Sequence, residues 1–253
     1  MGFPWKTCVV VAGTLVLALA DTVPTVAQTA PPPNRQQVTL VRLKPDMVDE
    51  WLDLQKNQLI PAQKKGGVTT RTTLQTVLGN AFEYATIIPY PSFGILDGQN
   101  AQQKALGTEA AAQLAAKIRR CVLTQSTYLL NRRDDLGIPQ GTATAARTTV
   151  VRPLPGKQAE YLDYIKNDML PVMKKAKAAG KIAGYTVSIR GVGAAAGELT
   201  TTTYYNKFAD LDAGNPAIAV AGEAAATAMT AKAATLATNV QVMVRRRVAD
   251  LSF

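Results

Sequence analysis

Residues 50–65 read EWLDLQKNQLIPAQKK, and residues 160–175 read EYLDYIKNDMLPVMKK. The two stretches align without a gap, and eight of their sixteen positions are identical. Most of the other positions keep their apolar character, as at Trp51 and Tyr161. Such self-similarity at a fixed separation indicates that one structural unit occurs twice in the chain.

The repeat continues on both sides of this stretch. The segment VTLVRLKP, from residue 38, aligns with TTVVRPLP, from residue 148, and places Arg42 over Arg152. Further on, STYLLNRRDDLGI, from residue 126, aligns with QVMVRRRVADLSF, from residue 241, and places Arg132 over Arg247. The extra residues of the second copy fall where loops are expected, and loops tolerate insertions best.

The first residues have the pattern of an export signal. Met1 and Lys6 open the chain, and an apolar run follows at 8–20. This run is shorter than a membrane-spanning helix and suits the central part of a signal peptide. Cleavage is predicted after Ala20 or Ala27. We therefore expect a periplasmic or secreted protein that has no transmembrane segment once the signal is removed.

The repeat and the export signal together divide the chain of 253 residues. A polar, proline-rich stretch lies between them, because its prolines suit neither a helix interior nor a sheet. We predict a signal peptide at 1–27, a disordered mature N-terminus at 28–37, a first repeat at 38–138, a linker at 139–146 and a second repeat at 147–253.

Each repeat has a sequence pattern of alternating strands and helices. The first strand is followed by an amphipathic helix, for which Asp46 is the predicted N-cap. Pro61 and Pro171 are predicted to kink this helix in the two copies. A hairpin, an alanine-rich helix (101–122 and 216–238) and a final strand (128–132 and 242–246) complete the pattern.

The order β-α-β-β-α-β is that of a ferredoxin-like unit, in which both helices cover one face of an antiparallel sheet. The other sheet face is bare and tends to associate. We therefore predict an α+β fold of two tandem ferredoxin-like units. Their antiparallel sheets would pair as an intramolecular pseudo-dimer, an α/β barrel.

Short motifs recur at the start, middle and end of the first helical segment in both copies. They are Lys44-Pro45-Asp46, Glu50-Trp51-Leu52, Ile60-Pro61 and Gly66-Gly67, and in the second copy Leu154-Pro155-Gly156, Glu160-Tyr161-Leu162, Leu170-Pro171 and Gly180. With these motifs the chain resembles the dimeric α/β-barrel superfamily, and within it NIPSNAP-like proteins, as a tandem fusion. The resemblance implies a ligand between sheet and helices or inside the barrel, and the superfamily includes cofactor-free monooxygenases, lactone isomerases and haem enzymes.

The composition excludes several kinds of site. The chain has no histidine, so it can form neither a serine–histidine–aspartate triad nor a haem site with an axial histidine. We expect no metal and no cofactor. The net charge is +10, but the export signal and the scattered basic residues argue against a nucleic-acid partner. Cys121 is the only cysteine after signal cleavage, and we expect a buried, inert thiol.

Six residues are candidates for a ligand site. Arg42, Arg152, Arg132 and Arg247 could clamp an anion, although salt bridges at the rim of the barrel would explain them equally. Two tyrosines on the strands, Tyr84 and Tyr204, could line a pocket together with the threonine-rich hairpins. No catalytic residue can be assigned from the sequence.

Three functions remain open at this point, of which one, binding of an anionic polymer or nucleic acid, depends on charge alone. The first is a non-catalytic module of the envelope that binds a small organic or anionic ligand, or a partner, as a monomer or weak homo-oligomer. The alternative is a cofactor-independent enzyme, similar to a monooxygenase or an isomerase, with a pocket of Tyr, Thr and Arg. An enzyme of this kind requires an enclosed cavity of roughly a few hundred Å³ with converging polar groups.

Overall fold

The structure, a computed structural model, describes residues 34–253 and shows a closed barrel of eight antiparallel strands. The predicted signal peptide lies outside these residues. Around the barrel the strands follow the order β1-β3-β2-β8-β5-β7-β6-β4. They are β1 (Arg35–Leu43), β2 (Thr72–Leu78), β3 (Glu83–Pro89), β4 (Val122–Arg132), β5 (Ala145–Pro153), β6 (Gly184–Arg190), β7 (Leu199–Tyr205) and β8 (Ala237–Arg247).

The helices follow the strands in the same order twice. We call β1–β4 with the helices between them the N-terminal half, and β5–β8 with theirs the C-terminal half. The α-helices are α1 (Val48–Leu54), α2 (Ile60–Lys65), α3 (Ala101–Leu106) and α4 (Thr108–Cys121), then α5 (Gln158–Tyr164), α6 (Leu170–Ala178), α7 (Pro216–Ala221) and α8 (Glu223–Ala234).

The two halves meet along two strand junctions. Each half has its own four strands side by side, in the order β4-β1-β3-β2 or β8-β5-β7-β6. The barrel closes where β2 pairs with β8 and where β4 pairs with β6, both antiparallel. The predicted α+β fold with antiparallel ferredoxin-like sheets is therefore confirmed at the level of a closed barrel.

The first helix of each half passes through a π-helical turn just before the proline at which a kink was predicted. These turns span Gln55–Leu59 and Ile165–Met169 and lead directly into α2 and α6. Pro61 and Pro171 follow immediately. A proline lacks the N–H of a regular turn and crowds the residue before it, and the wider turn accommodates both effects.

Several predicted boundaries differ from the structure. Gly107 and Gly222, with φ of 83° and 84°, break each alanine-rich segment into two helices. The final strands β4 and β8 begin six and five residues before their predicted starts, because β-branched residues such as Val122 and Val240 favour strand. Asp46 lies in a 3₁₀ turn, and Met47 precedes α1 without a side-chain cap.

The helices cover the outside of the barrel, where each half has its own core. In the N-terminal half, Trp51 from α1 contacts Tyr84 from β3 with ring centroids 4.8 Å apart. In the C-terminal half, Tyr161 and Tyr185 belong to the corresponding cluster. Within residues 34–253, none of the helices combines the length and apolarity needed to cross a bilayer.

Candidate functional site

The interior of the barrel contains a cavity of about 70 Å³. Successive side chains of a strand point to opposite faces, so every second residue faces inward while its neighbours pack against the helices. Residues that line the cavity are Gln36, Val38, Thr72, Leu74, Ile87, Tyr128, Leu130, Arg132 and Gln140, and, from the C-terminal half, Thr148, Thr186, Ser188, Thr200, Thr202, Tyr204 and Arg245.

The cavity has a mixed wall and a polar wall. The N-terminal half supplies all the aliphatic side chains, together with Gln36, Thr72, Tyr128 and Arg132; the aliphatic residues are Val38, Leu74, Ile87 and Leu130. The C-terminal half supplies hydroxyl groups and a guanidinium group, and no aliphatic residue. A site with these two walls fits a molecule that has an apolar body and a polar end.

Tyr204 lines both this cavity and a smaller one of about 40 Å³, as do Thr72, Leu74 and Gln140. The smaller cavity is bordered by the linker residues Gly141 and Ala143 and by Arg247. Burial raises the pKa of Tyr204, and this effect outweighs the opposing influence of Thr186 and of nearby arginines. At neutral pH the phenol is therefore protonated and can donate a hydrogen bond.

Two buried glutamates lie deeper in the barrel, toward the ends of β1 and β5. Glu83 accepts hydrogen bonds from Arg245 (3.0 Å), Thr76 (2.9 Å) and Asn80 (2.9 Å). The matching residue of the C-terminal half is Glu198. The Glu83–Arg245 pair reaches from this end of the barrel to the cavity, because Arg245 also lines the cavity.

Glu198 forms the same kind of pair with different partners. It accepts hydrogen bonds from Arg190 (2.7 Å) and Arg152 (2.6 Å). Arg190 in turn lies over the Tyr128 ring, 4.6 Å from its centroid, and donates to its hydroxyl at 3.2 Å. Through Arg190, Glu198 is therefore connected to Tyr128, which lines the cavity.

Both glutamates are ionised at neutral pH. Burial alone would raise the pKa of Glu83, but the Asn80 amide, the Arg245 charge and the Thr76 hydroxyl outweigh it and hold the pKa below its ordinary value. For Glu198 the pKa is likewise lowered, because its two arginines outweigh burial. Neither carboxylate is free to act as a base, since each is held by arginine.

The polar wall includes a hydroxyl group without a partner. Thr148 and Thr202 are within hydrogen-bond distance of each other, with their hydroxyl oxygens 3.2 Å apart. The neighbouring Thr200 Oγ1 is buried and has no hydrogen-bond partner among the described residues. An unpaired buried hydroxyl costs free energy unless a bound molecule satisfies it, so this wall is suited to a polar ligand.

The four predicted arginines do not form a single clamp. Arg132 and Arg247 line the larger and the smaller cavity respectively. Arg42 and Arg152 lie at the opposite end of the barrel, about 20 Å away at the usual rise of a strand. Arg42 is exposed there. Arg152 pairs with Glu198, in agreement with the alternative of rim salt bridges.

The two predicted tyrosines lie on opposite sides of the barrel wall. Tyr204 faces the cavity, whereas Tyr84 faces the helices and packs against Trp51. Their register shows why: Tyr84 pairs with Val41, whose side chain belongs to the helix-facing core, and Tyr204 pairs with Ala146 on the inward row. The two tyrosines are not equivalent positions of the repeat.

Two residues of the site do not emerge from the sequence pattern. Arg245 stands out only as part of a basic run, and Tyr128 only as the start of a predicted strand. The threonine-rich strands are evident, but their composition does not show whether they face inward. The alternation along β8 could have indicated an inward arginine, because Arg245 and Arg247 lie on one face of the strand and Arg246 lies on the other.

Similarity to known proteins is found in structure alone. No family model matches the chain, and no curated protein matches it. A "putative monooxygenase" from Lactobacillus acidophilus NCFM has a similar structure, with a TM-score of 0.53 and 10% identity, covering 87% of this chain and 95% of that one.

Two further solved structures share the fold at a similar level. An anthrone oxidase-like protein matches with a TM-score of 0.56 and 11% identity, over 85% of this chain and 92% of its own. A "putative monooxygenase" from Fusobacterium nucleatum subsp. nucleatum matches with a TM-score of 0.56 and 12% identity, over the same shares.

These comparisons confirm the fold and correct the predicted function. The chain has the ferredoxin-like fold of the dimeric α/β barrels. The prediction of a non-catalytic binding module is wrong, because the proteins that share this fold are described as monooxygenases and as anthrone oxidase-like. That prediction relied on missing histidines and on the lack of a carboxylate pair, and neither feature is needed when the substrate itself is reactive.

Proposed function

We propose that the protein is a cofactor-independent enzyme, related in chemistry to monooxygenases, that binds its substrate inside the barrel. The observation that carries this proposal is the interior cavity, where Tyr204, several threonines and the two arginines Arg132 and Arg245 border one space. A concave pocket with a few converging polar groups is the usual form of an active site.

The cavity residues suit a reaction that passes through an anion of the substrate. Arginine, protonated tyrosine and threonine all donate hydrogen bonds, and donors placed in advance around a developing negative charge are a major source of rate acceleration. Among the described residues, no aspartate or glutamate borders the cavity. The substrate therefore enters as an anion or loses its proton to water.

Oxygen supplies the oxidant in the proposed reaction. An activated CH₂ group of the electron-rich substrate becomes a carbonyl group as O₂ is consumed. One oxygen atom enters the product, and the other leaves as water with the two hydrogens. An isomerase would use the same anion without O₂, so the anaerobic reaction separates the two possibilities.

The size of the cavity limits the substrate. Its volume of about 70 Å³ holds about five water molecules, so only a short-chain substrate fits without movement of the lining side chains. A substrate with a ring, from a phenol to the three-ring anthrone, requires lining side chains such as Tyr204 to move.

Oxygen uptake by the purified chain tests the proposal. The panel contains single-ring phenols, catechols, cyclic enols and anthrone, with each compound assayed with and without air. We expect turnover of one compound class, and a decrease of about tenfold or more in kcat/KM for Tyr204→Phe. Tyr205→Phe is the matched control, because Tyr205 is the next residue of β7 and faces the helices.

The proposal fails if no member of the panel is converted faster than by heat-denatured protein. It also fails if Tyr204→Phe and Tyr205→Phe lower activity equally, because the inward face would then have no special role. Turnover that continues without air would assign an isomerase in place of an oxygenase.

Three further points belong to the same proposal. We infer that the chain arose by tandem duplication, so that its two halves act as an intramolecular counterpart of a dimer. We also propose a closer relationship to NIPSNAP-like proteins, because of the repeated motifs around Pro61 and Pro171.

We further propose export to the periplasm or the medium, because of the apolar run at 8–20. Mass spectrometry of the mature N-terminus tests export, which requires cleavage after Ala20 or Ala27.

A further inference from the structure

We infer that the barrel cavity binds a small organic anion, a carboxylate or a phenolate, with its charged end at Arg132, Tyr204 and Arg245. Its apolar body would lie against Val38 and Leu74. This inference names the substrate class of the proposed active site and so rests on the proposed function.

The charge of the lining carries the inference. Three arginines border the two cavities, which are Arg132 and Arg245 in the larger and Arg247 in the smaller, and no acidic residue of the described chain joins them. Arg245 and Arg132 have their ion-pair partners outside the lining, in Glu83 and Asp134. Arg247 has no ion-pair partner in the described part of the chain.

An unused hydrogen-bond donor supports the same conclusion. Arg245 is only 6% exposed and uses its Nε and Nη2 on Thr76 and Glu83. The Thr200 hydroxyl on the same wall is buried and has no hydrogen-bond partner among the described residues. A buried donor of this kind is normally satisfied, and an oxygen of an anion would satisfy it.

The opposite wall explains why the anion should be organic. Val38, Leu74, Ile87 and Leu130 present aliphatic surface to the same space, and inorganic anions gain nothing from such contacts. An apolar body of a few carbon atoms removes this surface from water, which stabilises the complex in proportion to the area buried.

Calorimetric titration of the purified chain tests the ligand class without relying on turnover. Butyrate and benzoate are compared with butanamide and benzamide, which have nearly the same shape but no charge. We expect saturable binding of at least one acid, and about tenfold or more weaker binding of its amide. Arg132→Met should weaken binding of the acid to a similar extent, whereas Arg246→Met, on the outer face of β8, should not.

Tyr204→Phe provides a second variant in case Arg132→Met does not fold. It removes one donor to the anion and should weaken binding about threefold or more, with Tyr205→Phe as its control. Equal binding of acid and amide, no binding of any probe, or full affinity in both variants would overturn the inference.

The two proposals can fail separately. If a neutral substrate is turned over and the titration shows no preference for acids, the proposed enzyme activity stands and the proposed anion site is wrong. If acids bind selectively and the oxygen assay shows no turnover, the proposed anion site stands and the proposed enzyme activity is wrong.

Discussion

The two halves have the same order of strands and helices, but they bury polar residues on opposite sides of the barrel wall. On the outer side, the N-terminal half buries Arg71 with Gln55 and Gln63 between sheet and helix. The C-terminal half fills the matching positions with apolar and aromatic side chains, which are Tyr185, Ile165 and Met173. The backbone pairs Arg71–Phe253 and Tyr185–Ile138 establish the equivalence.

Inside the barrel the distribution is reversed. At five matching positions of the register the N-terminal half is apolar and the C-terminal half is polar. These pairs are Val38 and Thr148, Leu74 and Ser188, Ala85 and Thr200, Ile87 and Thr202, and Leu130 and Arg245. The aliphatic part of the cavity lining therefore comes from the N-terminal half, and most of the hydroxyl groups come from the C-terminal half, whereas each half contributes one arginine, Arg132 or Arg245.

This contrast separates a structural polar cluster from a functional one. Arg71 donates to the side-chain oxygens of Gln55 and Gln63, both at 2.6 Å, and to the Leu251 carbonyl at 3.1 Å. Burial lowers its pKa to about 10, so it is still charged at neutral pH. Its acceptors are all protein atoms, which indicates that it fastens the C-terminal segment. The inner wall, by contrast, includes the buried Thr200 hydroxyl, which has no hydrogen-bond partner among the described residues.

Among single substitutions, Arg71→Met should have the largest effect on stability. It leaves two buried glutamine side chains without their donor, and we expect the free energy of unfolding to fall by about 3 kcal/mol. Urea unfolding measures this loss. Arg119→Met, on the exposed face of α4, is the control and should change stability by less than about 0.5 kcal/mol.

The buried polar cluster around Arg71 can be replaced by the residues found at the matching positions of the C-terminal half. The variant Gln55→Ile, Gln63→Met, Arg71→Tyr and Thr73→Val carries the residues found at the equivalent positions. Because a well-packed apolar replacement of a buried charge is often neutral or better, most of the stability lost in Arg71→Met should return. A quadruple variant less stable than Arg71→Met would show that the two outer cores are not interchangeable.

Glu83→Gln should have the next largest effect and should exceed that of Glu198→Gln. The first change leaves Arg245 buried without a counter-charge, at an expected cost of about 2 kcal/mol. After the second change Arg152 is exposed and Arg190 keeps its contact with Tyr128, so about 1 kcal/mol is expected. Chemical unfolding of the two variants in parallel measures the difference, and equal costs would contradict this account.

Acid stability tests the same ion pairs. The folded-state pKa of Glu83 and of Glu198 lies below the ordinary value of 4.5. Their contribution is therefore complete above about pH 5 and is lost as the pH falls below 4.5 toward the folded-state values. The wild-type chain should lose stability over this range, and Glu83→Gln/Glu198→Gln should lose less. Unfolding curves at pH 6, 4.5 and 3.5 measure the slope, and identical slopes would contradict the assignment.

The order of strands and helices could be predicted well from the sequence, because it depends on local patterns. The repeated helix around Pro61 and Pro171 and the order of strands follow from periodicity and turn residues. The direction of each strand residue does not, because both faces of this barrel are buried and apolar residues occur on both. Tyr84 was misplaced for that reason. The inward arginine of β8 was hidden within the run 245–247, where composition gives no direction.

The smallest expected effect concerns the unpaired hydroxyl of the inner wall. Thr200→Val replaces it with a methyl group of the same shape, so the ligand-free protein should gain about 0.5 to 1 kcal/mol of stability. Its equivalent in the N-terminal half is already apolar, as Ala85. Thr201→Val, the next residue on the outward row, is the control. If Thr200→Val stabilises the protein and also weakens binding of the organic acid in calorimetry, the hydroxyl is kept for the ligand. A loss of stability would mean that Thr200 has a structural partner, and the contrast between the two walls would then be a matter of packing alone.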